Sequence, residues 1–147
     1  MSIAQRSAQT TWEGSLTGGS GRLQTGSGAL DDLEVTWAAR TEQPDGKTSP
    51  EELAAAAHSA CFAMALSLGL TERRTPPQRL QVTATVTLDD VGGKPTIVSS
   101  LLLVKGKVDG LDSDGFQQAV DDAAALCPVS RLFAGARVDV KAILEAP

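Results

Sequence analysis

The amino-acid sequence predicts an α+β fold, with antiparallel sheets arranged around a long buried central helix. Three observations carry that expectation. A capped, alanine-rich apolar stretch opens at Ser49-Pro50-Glu51-Glu52 and runs from Leu53 to about Gly69 or Thr71. Segments that alternate apolar and polar residues lie on both sides of it. The order strands, helix, strands, helix, strand has no repeating β-α-β rhythm, which points to segregated rather than interleaved elements. At 147 residues, the chain reads as one domain spanning 1–147.

Each element has a local cause. Thr10–Glu13 and Arg22–Thr25 are short strands flanking the glycine-rich turn Gly18-Gly19-Ser20-Gly21. Glu34–Arg40 alternates, with Val35, Trp37 and Ala39 on one face, and is expected to be a strand. Pro44-Asp45-Gly46 turns the chain. Ser49 then caps the long helix, Pro50 suits its first position, Glu52 closes a capping box and Glu51 complements the macrodipole. Apolar residues cover nearly the whole circumference of this helix, so burial on all sides is expected.

Pro76-Pro77 marks a linker. Leu80–Leu88 is a half-buried strand, with Leu80, Val82, Ala84, Val86 and Leu88 inward, and Gly92-Gly93 turns it into a second strand, Thr96–Val108. Leu101–Val104 in that second strand is expected to be covered on both faces. Asp112 or Ser113 caps a second helix with Phe116, Val120 and Ala124 on one stripe. Cys127-Pro128 breaks it, Val129–Phe133 forms a short helical turn, and Arg137–Leu144 closes the chain as a strand.

Composition narrows the function. Hydrophobic residues make up 41% of the chain but aromatics only 3%, so the core must pack small side chains or share burial between subunits. A net charge of -5 argues against nucleic-acid or anionic-membrane partners, which require basic patches. Met1–Gln9 lacks the apolar run of a signal peptide. Ala54–Ala57 is followed by His58 and Ser59, so no segment is expected to be long and apolar enough to span a bilayer. Two widely spaced cysteines make neither a disulfide scaffold nor a Cys-x-x-Cys motif, and the expected compartment is the reducing cytoplasm.

Those cysteines are the chemistry-bearing candidates. Cys61 lies within the long apolar helix and Cys127 stands directly before Pro128. A buried free cysteine ordinarily acts as a small hydrophobe, and a reactive one needs a nearby cation because the thiolate is the nucleophile. The helix around Cys61 carries no Lys or Arg, so Arg40 and Arg22 are the candidates from other segments. Helix-terminal N–H groups beside Pro128 can stabilise a Cys127 thiolate. His58, the one histidine, stands three residues before Cys61, and a His58/Cys61/Cys127 metal set is conceivable although the ligand spacing is not that of zinc sites. No Gly-x-Ser-x-Gly elbow, phosphate loop or cofactor-binding motif is present.

Pro50-Glu51-Glu52-Leu53, Ala56-Ala57-His58-Ser59-Ala60-Cys61-Phe62-Ala63-Met64-Ala65-Leu66-Ser67 and Cys127-Pro128-Val129-Ser130 together resemble the osmotically inducible protein C (OsmC) and organic hydroperoxide resistance (Ohr) family. Trp12-Glu13-Gly14 and Arg40-Thr41-Glu42 are similar to the OsmC branch. The likeness covers essentially the whole chain.

It implies an intertwined homodimer with shared active sites, and a thiol peroxidase that prefers organic hydroperoxides to hydrogen peroxide. By the same resemblance Cys61 is the peroxidatic thiol, Cys127 the resolving thiol, Arg40 the activating cation and Glu51 its carboxylate partner. A dithiol is the implied reductant, with lipoyl groups the best-known electron source in the Ohr branch, and neither cofactor nor metal is implied. The Ohr branch carries its arginine in the glycine-rich N-terminal segment, where this chain has Ser20, with Arg22 two positions on. Arg40 is preferred and Arg22 remains the alternative.

Glu51 and Cys61 stand ten positions apart, about 15 Å along a straight helix. They therefore cannot serve one site within a subunit, and a shared site is expected to take Arg40 and Glu51 from one chain and both cysteines from the other. The alternative reading is a non-catalytic dimer of the same fold that binds a small ligand or a metal.

Overall fold

A computed structural model describes residues 1–147. The elements in chain order are β1 (Ala8–Glu13), β2 (Ser20–Thr25), β3 (Leu33–Val35), α1 (Trp37–Thr41), α2 (Pro50–Glu72), β4 (Arg79–Val91), β5 (Lys94–Lys107), α3 (Ser113–Leu126), α4 (Pro128–Leu132) and β6 (Arg137–Leu144). The chain divides into two compact units, Met1–Leu53 and Ala54–Pro147.

In the first unit, β1, β2 and β3 form an antiparallel meander in that order. The β1–β2 connection turns at Gly14, whose φ of +91° favours glycine. The stretch expected to be one strand over Glu34–Arg40 instead stops at Val35 and continues as α1. Thr36 is the reason: its hydroxyl accepts the Ala39 N–H at 3.0 Å, a helix N-cap. Alternation of Val35, Trp37 and Ala39 mimicked a strand, but the cap and a 3.6-residue turn prevail.

The long helix starts where expected, with the Ser49 hydroxyl accepting the Glu52 N–H at 3.2 Å. The reciprocal half of the capping box is redirected, since the Glu52 carboxylate accepts the Thr48 hydroxyl at 2.8 Å.

In the second unit, β4 and β5 pair antiparallel through a two-residue turn at Gly92-Gly93, both at positive φ as a twist-matched hairpin requires. β6 joins the far side of β5 in parallel, so this sheet is mixed rather than purely antiparallel. Asp112 caps α3 by accepting the Gly115 N–H at 2.7 Å. Phe116, Ala119, Val120 and Ala123 of α3 join Phe62, Leu66 and Leu70 of α2, Leu102 and Val104 of β5, and Cys127 in one core.

Two burial expectations are corrected. Leu101 is exposed on the outer face of β5 while Leu102 and Val104 are buried, so that strand is covered on one face only. On α2, the stripe His58, Phe62, Leu66 and Leu70 is fully buried, whereas Met64 and Leu68 are 74% and 60% exposed. Within a single chain the helix is thus core on one stripe and open on another. Its 18-residue window of mean hydropathy 1.7 also makes it long and apolar enough to cross a membrane by length and composition, contrary to expectation. The fully buried stripe nevertheless serves as the central helix of a folded core.

Gly106 of β5 sits against the ring of Phe116, where an added Cβ would approach the ring carbons to 2.5 Å. Gly106→Ala is expected to lower the unfolding free energy by about 1–3 kcal/mol through overpacking. Urea denaturation at fixed m-value measures this, and an unchanged midpoint would contradict the packing described.

Candidate functional site

The first unit builds an arginine–carboxylate pair. The Thr36 cap places Arg40 in the last turn of α1, and the Ser49 cap places Glu51 in the first turn of α2. Arg40 Nε donates to both carboxylate oxygens of Glu51 at 3.0 Å, and Nη2 donates to Oε1 at 2.7 Å. The Glu51 side chain is only 11% exposed, which sets the pair apart from ordinary surface ion pairs. The guanidinium carbon also lies 5.9 Å from the Trp37 ring centroid, at the outer range of a cation–π contact. Arg40 lines a cleft of about 390 Å³ walled by Trp12, Leu16, Leu23, Trp37 and Leu53. Arg22, the alternative cation, instead faces Asp32 at 3.7 Å on an exposed surface.

The second unit brings the two cysteines together. Both are free, Cys127 fully buried and Cys61 half-buried. Cys61 packs against the buried cluster that contains Cys127, and the two neighbouring thiols act on one another's ionisation. Burial pushes the Cys61 thiol up; the Val129 N–H offsets this in part, and the neighbouring Cys127 raises it further. Burial also opposes ionisation of Cys127, but the Ser130 hydroxyl and N–H, the Cys61 thiol and the Val129 N–H outweigh it and bring that thiol below its ordinary value.

These donors belong to the first turn of α4. Cys127 occupies the N-cap and Pro128 the first helical position, and the sulfur makes no side-chain capping bond of normal geometry. No lysine, arginine or carboxylate contributes to either shift.

Cys61 also borders an open groove of about 970 Å³, lined by Met64, Ala65, Leu68, Leu126 and Pro128 among others, with the Arg73–Asp122 ion pair at its edge. Apolar walls beside a half-buried thiol suit an alkyl-bearing molecule.

His58 is completely buried. Its Nδ1 lies 2.5 Å from Ser100 Oγ and its Nε2 2.7 Å from Ser130 Oγ. Its ring stacks on Phe133 with centroids 5.1 Å apart. Burial pushes its pKa below the ordinary 6.5. Both nitrogens are engaged by serines, and His58, Cys61 and Cys127 do not form a group able to hold a metal ion.

Ser100 and Phe133 were not singled out from the sequence, and Ser130 was noted only as part of the Cys127 motif. The available signal was a pair of serines interrupting an apolar strand and a lone histidine in an apolar helix, since each such buried polar group requires a partner.

Known proteins share this arrangement of sequence and fold. Residues 43–142 match the family model described as OsmC-like protein. The chain is 39% identical over 127 residues to peroxiredoxin OsmC of Escherichia coli (strain K12), covering 86% of this chain and 88% of that protein. Among solved structures it resembles the organic hydroperoxide resistance protein OhrB of Bacillus subtilis, with TM-score 0.70, 28% identity, and coverage of 95% and 98% of the two chains. An organic hydroperoxide resistance protein OsmC from Legionella pneumophila shares the fold with TM-score 0.75 at 23% identity, over 99% of this chain and 100% of that one. This α+β chain therefore belongs to the OsmC family.

Because His58 is held neutral by burial, the folded state binds fewer protons there than the unfolded chain. Its contribution to stability is complete above about pH 6.5 and is lost as pH falls through the lowered folded value. Unfolding free energy is thus expected to decline from about pH 6.5 downward, and His58→Gln should flatten that part of the curve. Denaturant midpoints at half-unit pH steps provide the check. Parallel curves for the two proteins would remove His58 as the cause.

Proposed function

We propose that this protein is a thiol-dependent peroxidase, one domain over 1–147, that reduces organic hydroperoxides, and hydrogen peroxide less well, to alcohols. The observation that carries the reading is the placement of Cys61 against the cluster that holds Cys127, beside an open apolar groove that Cys61 and Pro128 line. Peroxiredoxin OsmC of Escherichia coli and OhrB of Bacillus subtilis support the same redox role.

Access decides the order of the thiols. Cys61 borders the groove while Cys127 is wholly buried, so peroxide meets Cys61 first. The Cys61 thiolate attacks one peroxide oxygen, the O–O bond breaks, and the alkoxide takes a proton and leaves as alcohol, making Cys61 a sulfenic acid. Cys127 then condenses with it to a disulfide and water, which prevents further oxidation. A dithiol, such as a lipoyl group, returns the disulfide to two thiols in the cytoplasm.

Arg40 and Glu51 supply what the thiol pair lacks. The guanidinium stabilises the thiolate and the developing alkoxide, and Glu51 holds it in a fixed orientation. Ten residues of continuous helix separate Glu51 from Cys61, so in this reading each site combines Cys61 and Cys127 of one chain with Arg40 and Glu51 of a second copy. The raised Cys61 thiol of the single chain, with no cation among its causes, supports that requirement.

Consumption of tert-butyl hydroperoxide in the presence of a dithiol tests the assignment. Cys61→Ser is expected to abolish turnover, and one equivalent of peroxide should give a Cys61–Cys127 bridge in non-reducing mass spectrometry of the wild type. Equal consumption by wild type and Cys61→Ser would overturn it. Arg40→Met should lower kcat/KM by roughly 10²–10³, and mixing it with Cys61→Ser should restore part of the activity if sites are shared between chains. Mixed dimers no more active than either parent would defeat the shared site.

A further inference from the structure

The peroxidase scheme leaves unused a buried polar chain behind the second cysteine. Ser100 of β5, His58 of α2 and Ser130 of α4 are linked by contacts of 2.5 and 2.7 Å, and Ser130 lies three residues after Cys127, in the turn that Cys127 caps. His58 and Ser100 are both completely buried. Phe133, one turn further on, fixes the imidazole plane by stacking. Such an arrangement is costly unless each member is satisfied, and no buried side-chain nitrogen or oxygen is left without a partner.

Building on the peroxidase reading above, we propose that His58 and Ser130 are positioning residues for the resolving step. In this arrangement the neutral imidazole accepts the Ser100 hydroxyl at Nδ1 and donates its Nε2 proton to Ser130 Oγ. The Ser130 hydroxyl proton is then left no acceptor so suitable as the Cys127 sulfur. One neutral tautomer thus aligns three donors in the same sense, and each bond polarises the next toward the thiolate. Reversing the chain would point a lone pair of Ser130 at Cys127 and favour the thiol.

The titratable groups that act on Cys127 within one chain are Cys61 from α2 and, through Ser130, His58; Glu72, Arg73 and Asp122 border the adjoining groove at Cys61 and are not among the causes of the Cys127 shift. Within one chain the polar relay thus supplies an anion-stabilising contact that no charged side chain provides.

The chemistry it serves is balanced within the two cysteines. Cys127 loses its thiol proton, and its sulfur attacks the sulfur of the Cys61 sulfenic acid. The S–S bond forms as the S–O bond breaks, and the departing hydroxide takes up one proton to leave as water. Cys127 is oxidised and the sulfenic sulfur reduced, so thiol and sulfenic acid give disulfide and water.

The first measurement is the ultraviolet thiolate absorbance of Cys127 against pH in a Cys61→Ser background, which requires no peroxidase turnover. Adding Ser130→Ala should move the titration to higher pH, whereas Ser130→Thr, which keeps the hydroxyl, should stay near the parent. His58→Phe, which preserves the ring and removes both nitrogens, should move it in the same direction as Ser130→Ala. If His58→Phe does not fold, the Ser130 pair decides the question.

The second measurement, with both cysteines present, is the rate at which the Cys61 sulfenic acid converts to disulfide after a single peroxide pulse. Ser130→Ala should slow this conversion by about tenfold or more, the scale of one hydrogen bond to a charged group, and Cys61 should overoxidise to sulfinic acid at lower peroxide concentration. A Ser130→Ala titration matching its parent, or an unchanged conversion rate, would overturn the proposal. Absence of any sulfenic acid in wild type would instead refute the peroxidase reading and leave the titration result standing.

Discussion

The rotational phase of α2 is the constraint on which the rest of the site depends. His58, Phe62, Leu66 and Leu70 stand four residues apart and are all fully buried. This i, i+4 ridge packs against α3 and the β4–β5–β6 sheet and fixes which side of the helix faces inward. Cys61 is one residue before Phe62, about 100° around the helix from it, and therefore sits at the margin of the core. From that margin it can meet Cys127 on the buried side and border the apolar groove on the open side. A one-position shift of the ridge would bury the thiol beyond reach or turn it away from its partner.

The same ridge imposes an electrostatic problem. Its first member is a histidine, and a polar ring at full burial must find partners for both nitrogens. Ser100 and Ser130 meet that need, and Ser130 extends the polar surroundings to Cys127. In one chain the sulfur with N–H and hydroxyl donors is therefore the easier to ionise, while Cys61 is held as a thiol. In the proposed shared site, a guanidinium would reverse this order. A unit charge at 4 Å is worth about 4 kcal/mol at an effective dielectric of 20, more than the roughly 1.5–3 kcal/mol of a hydrogen bond to a charged group.

Most of the fold was legible in the sequence because local chemistry and tertiary packing agree along most of the chain. Ser49-Pro50, Asp112 and Gly92-Gly93 each mark an element boundary by a mechanism that needs no distant partner. Glu34–Arg40 failed because its alternation is equally compatible with a strand followed by a one-turn helix, and only the Thr36 side-chain bond separates the two. The parallel pairing of β5 with β6 left no local trace, since strand order is fixed by long-range packing. Of the proposed site, the cysteines and the Arg40–Glu51 pair were accessible through motif and resemblance. The His58–Ser100–Ser130 chain was not, because contacts separated by 42 and 72 positions have no signature in spacing.

Burial also imposes an order of events on the proposed chemistry that reactivity alone would not. In a single chain Cys127 is the thiol more readily ionised, and an exposed thiolate of that kind would compete for oxidant. Its complete burial removes that competition, so peroxide must first meet the half-buried Cys61. Once Cys61 carries oxygen, its S–H group is replaced by an S–O–H group whose oxygen leaves as the disulfide forms. The stabilising contacts left to Cys127 are then the Ser130 hydroxyl and the N–H groups of α4, which do not change with the oxidation state of Cys61. The resolving sulfur thus keeps its stabilisation at the stage where it must act as nucleophile. A cation fixed permanently beside Cys127 would have stabilised its thiolate more strongly but lowered its nucleophilicity.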